Sequence, residues 1–142
     1  MRRVLLASLL VIATGLSFAA ATSGPASAVP IMTLQISPTA PLIARGAAAE
    51  ARVVYSCSRA TPSPSLFMTV TEVVSGGRAA QGSGSPDSLI CDGKRRSLKL
   101  PTVTANAVAF GKGTGYAQGG IVSCDADFNC TTVSSSRVIT IK

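Results

Sequence analysis

Beyond residue 30 the chain alternates apolar and polar side chains over short runs, the period of a strand with one buried face. In Ala49-Glu50-Ala51-Arg52-Val53-Val54-Tyr55-Ser56-Cys57 the odd positions are mainly apolar and the even ones mainly polar. Met32, Leu34 and Ile36 alternate with Thr33, Gln35 and Ser37, and Leu66, Met68 and Val70 alternate with Phe67, Thr69 and Thr71. The pattern predicts further strands at Leu89 to Cys91, around Leu98 and Leu100, over Tyr116 to Cys124, and over Arg137 to Lys142 with Ile139 and Ile141 pointing inward. Between these runs lie Ser37-Pro38-Thr39-Ala40-Pro41, Thr61-Pro62-Ser63-Pro64-Ser65, Ser75-Gly76-Gly77 and Ser83-Gly84-Ser85-Pro86-Asp87, all turn-forming chemistry. No stretch of the mature part holds helical periodicity for more than one turn. Ala47 to Ala51 has helical propensity, but it follows Gly46 and runs directly into an alternating segment, so it reads as strand entry.

Seven or eight short strands, each with one apolar face, must bury those faces against each other. The expected fold is all-β, an immunoglobulin-like antiparallel β-sandwich in a single domain over residues 29–142. Cys57 and Cys91 fall on inward faces, and Ala80, Gly82, Gly115, Ala117 and Gly119 predict a thin, closely approached interior.

The first 28 residues have a different character. Arg2 and Arg3 precede an apolar stretch from Val4 to Ala21, interrupted only by Ser8, Thr14, Gly15 and Ser17, and Ala26-Ser27-Ala28 offers a small-residue exit. This is the layout of a secretory signal peptide spanning residues 1–28, cut before Val29, with Ala20 or Ala21 as earlier cleavage candidates. An uncleaved membrane anchor is the alternative; Gly24 and Pro25, which end the apolar helix just ahead of the exit, favour cleavage. The protein is therefore expected outside the cell and free of the membrane after processing.

The four cysteines, Cys57, Cys91, Cys124 and Cys130, agree with an oxidising compartment. Three pairings are open, and a tetrathiolate zinc site is a fourth arrangement. Spacing favours Cys57 with Cys91 and Cys124 with Cys130, because the latter pair is separated by only six positions, which suits a loop at a strand end. A zinc site wants two close Cys knuckles, which the first pair does not provide.

Several of these residues together resemble a group of small secreted actinobacterial proteins of predicted immunoglobulin-like fold: Val53-x-Tyr55-x-Cys57, Leu66-x-Met68-x-Val70, Cys91-Asp92-Gly93, Phe110-x-x-Gly113, and Cys124…Cys130…Arg137-x-Ile139. That resemblance implies architecture and no activity. More distantly, the loop Cys124-Asp125-Ala126-Asp127-Phe128-Asn129-Cys130 resembles the short disulfide loop of neocarzinostatin-type apoproteins, secreted sandwiches that carry a chromophore. Their first bridge and its Gly-Gln-Cys surroundings have no counterpart here, so no ligand residue carries over.

Composition narrows the chemistry. The chain has no His and no Trp, 4% aromatic residues and 13% charged ones, which excludes an imidazole base, a His metal ligand and Trp platforms for sugars. The six acidic residues, Glu50, Glu72, Asp87, Asp92, Asp125 and Asp127, offer one close pair in a loop, and Ser is abundant without a nucleophile elbow. Asp125-x-Asp127-x-Asn129 imitates the start of a calcium loop but lacks its Gly and its terminal Glu. Phe110-Gly111-Lys112-Gly113-Thr114-Gly115 is glycine-rich without P-loop spacing and reads as a flexible connection. No catalytic residue, cofactor or metal is expected.

The net charge of +7 falls to +5 without Arg2 and Arg3, and four cations gather at Lys94, Arg95, Arg96 and Lys99. This run is the candidate contact for a polyanion; with few aromatic residues beside it, nucleic acid is not the expected partner. The leading expectation is a secreted, non-catalytic binding or structural module that touches an unknown protein or an anionic envelope polymer. The alternatives are a small-molecule carrier lined by Phe67 and Phe128, and a protease inhibitor presenting Thr61 to Ser65.

Overall fold

Leu34, Val53 and Leu100 meet Met68, Ala117, Ile121 and Ile141 in one buried cluster, so the alternating runs share a single core. The computed structural model describes residues 31–142, and the expected leader lies outside them. Its strands are β1 (Met32–Ile36), β2 (Thr39–Ala40), β3 (Leu42–Ile43), β4 (Ala48–Cys57), β5 (Ser65–Val73), β6 (Ala79–Gly84), β7 (Arg96–Thr104), β8 (Gly113–Cys124) and β9 (Cys130–Ile141). Seven of these nine have five residues or more. The all-β reading holds, and helix is limited to the 3-10 turns Ala44–Gly46 and Ser75–Gly77 among the described residues.

Hydrogen bonding runs unbroken in the order β1-β4-β7-β6-β5-β8-β9-β2, with β3 on β4. The strands thus form one curled mixed sheet, in which β6 pairs with β5 over six positions and with β7 at Gly82 and Ser83. Curling brings β1, at one end of the path, beside β8 and β9 near the other.

One ladder departs from the antiparallel expectation: β2 pairs with β9 in parallel, Thr39 with Thr140 and Ala40 with Ile141. Pro38 supplies the reason. It has no N–H to continue the ladder with β4, so the strand changes partner there: the Ser37 amide still donates to Arg52 O at 2.9 Å, whereas Pro38 O already accepts from the Thr140 amide at 2.8 Å. Because β2 keeps the direction of β1, it meets β9 running the same way.

Both favoured disulfides are present, Cys57–Cys91 and Cys124–Cys130. The second joins directly opposed residues at the end of the β8–β9 hairpin.

Three expectations change. Leu89 to Cys91 is not a strand; the segment leaves the sheet so that Cys91 can reach Cys57, and it is held by the Ile90 amide donating to Tyr55 Oη at 3.3 Å and the Gly93 amide to Cys57 O at 2.8 Å. Ala79 to Gly84, which carries no large apolar residue, is a strand. A Cβ on its Gly82 would stand 2.8 Å from the carbonyl oxygens of Thr102 and Val103 and 3.0 Å from the Phe110 ring, so only glycine permits this approach. The glycine-rich connection after Phe110 is pinned at its start: Phe110 is buried and its amide donates to Gly46 O at 2.8 Å, and the Gly111 amide donates to the buried Glu72 carboxylate at 2.7 Å.

Candidate functional site

The basic run does not act as one patch. Lys94 and Arg95 sit in the turn before β7, Arg96 opens the strand, and Lys99 lies on its outer face. Arg96 is engaged by Asp92, with Nη2 at 2.7 Å from Oδ2 and Nε at 3.3 Å from Oδ1, and the Lys94 amide donates to Oδ1 at 3.0 Å. These bonds favour the carboxylate, first the Arg96 guanidinium and then the amide, and lower the Asp92 pKa to about 2. The same pairing raises Arg96. Arg95 Nη2 donates across β4 to Gln35 Oε1 on β1. Lys94 and Arg95 therefore remain without a carboxylate partner among the described residues, while Arg96 is neutralised.

Lys99 belongs to a different group, assembled by register. β4 and β7 pair Arg52 with Lys99, two like charges directly opposed on the outer face. Lys99 relieves this by reaching diagonally to Glu50, Nζ to Oε1 3.1 Å. The end of β9 brings Lys142 to the same place. Glu50, Arg52, Lys99 and Lys142 line a depression of about 340 Å³ whose floor includes Ser37, Pro38 and Pro41. Its side chains place three cations against one carboxylate.

Next to it, sharing Ser37 and Pro38, a wider depression of about 570 Å³ follows the seam where β1 parts from β9, lined by Gln35, Val54, Ser135, Ser136 and Arg137. Arg137 spans the seam, Nη1 donating to Ile36 O at 3.3 Å. Both hollows arise from the change of partner at Pro38: the strand follows β4 below that point and β9 above it, leaving a wedge between. Sequence reasoning found Lys99 because it lies in a basic run. It missed Arg52 and Lys142, which stand far apart in the chain and meet at one depression only through strand pairing, and Arg137, which lines the adjoining one.

The other candidate residues fall elsewhere. Phe67 lies on the outer face of β5, and Phe128 is 89% exposed at the tip of the Cys124–Cys130 loop, so the two expected carrier residues line neither depression. In that loop Asp125 Oδ1 accepts the amides of Asp127 and Asn129, both at 2.9 Å, and Oδ2 accepts Asn129 Nδ2 at 3.2 Å. The carboxylate is thus engaged in shaping the turn, and these bonds hold its pKa below the ordinary range. Thr61 is buried and Pro62 O accepts Ser123 Oγ, which ties the start of the Thr61–Ser65 segment to the body. Among the described residues no three His, Cys, Asp or Glu side chains gather as metal ligands, and no helix is long and apolar enough to cross a membrane.

Comparison of the chain with known protein families, with characterised proteins and with solved structures finds no match.

Proposed function

We propose that the protein is a secreted, non-catalytic module that holds an anionic polymer along the β4–β7 outer face. The observation that supports this reading is the meeting of Arg52, Lys99 and Lys142 around one depression whose lining holds a single acidic side chain, Glu50, with Arg95 reaching the exposed Gln35 of β1 nearby. Cations around a concave surface focus their field into it and raise the local concentration of anions. A surface of exposed lysines and arginines binds a repeating negative charge with little demand on its detailed shape, which suits a polymer better than a small ligand. Two disulfides suit an extracellular address.

The test is retention on immobilised heparin and binding to soluble polyphosphate over a salt series. Affinity should fall steeply with salt, and the triple variant Arg52→Gln, Lys99→Gln, Lys142→Gln should bind more weakly and with a shallower salt dependence. A control with Arg78→Gln and Lys112→Gln, which line a separate hollow around Glu72, should bind as the wild type does. Equal losses in both variants would make the attraction a property of net charge and overturn the assignment to this face.

A further inference from the structure

The outer face of β6, β5, β8 and β9 has a different chemistry. Across β6, β5, β8 and β9 the register aligns Ser83, Thr69, Gln118 and Ser136 in one row. By strand spacing this row runs about 14 Å across four strands. Tyr116 stands two positions from it on one side and Phe67 two positions from it on the other, each about 7 Å away along the strands. The outward residues of these four strands include no Asp, Glu, Lys or Arg, although the described part of the chain is basic.

The aromatic rings are exposed, Phe67 at 44% and Tyr116 at 47%. Phe67 is also held in place. Its partner across the β5–β8 ladder is Gly120, where a Cβ would stand 2.6 Å from Cζ and 2.8 Å from Cε1. The ring therefore rests on bare glycine backbone and turns its other side to solvent. A ring already seated gives up little freedom on binding.

We infer that this face binds an uncharged polysaccharide. A sugar ring presents C–H groups on its flat sides and hydroxyls around its rim. The first match the exposed rings of Phe67 and Tyr116; the second match a row of Ser, Thr and Gln side chains that both donate and accept. The absence of ionisable residues other than the Tyr116 phenol matches a ligand without charge, and separates this site from the basic one. The arrangement is also the reverse of a protein–protein interface, which places its apolar groups at the centre and its polar ones at the rim.

The test is depletion of the disulfide-intact protein from solution by microcrystalline cellulose, chitin and starch granules, in low salt and in about 1 M NaCl, where screening suppresses the basic face. The inference expects depletion by at least one of the three that survives high salt. Tyr116→Ala, with unchanged circular dichroism and unfolding midpoint, should weaken it about tenfold, and Phe67→Ala should do the same. Gln118→Leu, which keeps size and removes the amide, should also weaken it. No depletion by any of the three polymers, or depletion that vanishes in high salt, overturns the inference. So does a dimer, seen by light scattering, that Tyr116→Ala dissolves, since the face would then be a contact between copies. The salt series distinguishes this site's failure from that of the polyanion reading, because only the latter predicts loss with salt.

Discussion

Arg96 closes on Asp92 four positions earlier, one guanidinium meeting both carboxylate oxygens at 2.7 and 3.3 Å. The pair anchors the turn that follows Cys91 and fixes where β7 begins. It also makes stability depend on acidity. A carboxyl whose folded pKa lies near 2, below its ordinary 3.8, stabilises the fold in full above the ordinary value and loses that contribution as pH falls toward 2. Asp92→Asn should therefore melt below the wild type at about pH 6, and the two melting curves should converge at about pH 2. Thermal unfolding across that range is the measurement, and a constant gap would contradict it. Asp125, lowered by its loop bonds, moves the wild type in the same direction.

Met68 is fully buried in the shared cluster, at the middle of β5. Met68→Ala should cost about 2–5 kcal/mol by lost burial and the cavity left behind, read from urea or guanidinium unfolding. Thr69→Ala, one position along on the outer face, should stay within about 0.5 kcal/mol of the wild type.

Glu72 is buried and its carboxylate receives the Gly111 amide. Replacing it with Ala leaves that amide unanswered and should destabilise the protein by about 1–3 kcal/mol. Hydrogen exchange should report faster loss of protection at Gly111 than at the amides of β4. Uniform acceleration would show that Glu72 supports the whole fold and not this connection.

The two bridges should differ in weight. Cys57–Cys91 closes 34 positions and Cys124–Cys130 closes six. In the chain-entropy model the longer loop contributes about 1.5 kcal/mol more. Denaturation of the two double-alanine variants, each keeping one bridge, checks this, and the variant lacking Cys57–Cys91 should be the weaker one.

Much of the architecture was legible because strands announce themselves when every second side chain is a large apolar one. Met32, Leu34 and Ile36, or Leu66, Met68 and Val70, do this and are buried as expected. The small residues Ala80 and Gly82 announced a closely approached interior, as found against β7 and Phe110, but without a large apolar side chain they did not announce the strand β6 that carries them. The first half of β9 was hidden for another reason: at the open seam Thr131, Val133 and Ser135 are only partly covered, so no strong apolar signal was needed there. Leu89 and Cys91 misled because a disulfide partner and a partly buried Leu supply the same alternation as a strand without the ladder. Of the candidate site, Lys99 was legible, whereas Arg52 and Lys142 depend on which strand lies beside which.

The directly opposed Cys124 and Cys130 have a consequence for how the protein would survive attack in a protease-rich medium. A nick anywhere in Asp125 to Asn129 leaves the fragments tied by a covalent bond and by the twelve residue pairs of the β8–β9 ladder. The cut molecule would keep its shape and migrate as one band until a reductant is added, so cleavage of this exposed loop costs the fold little.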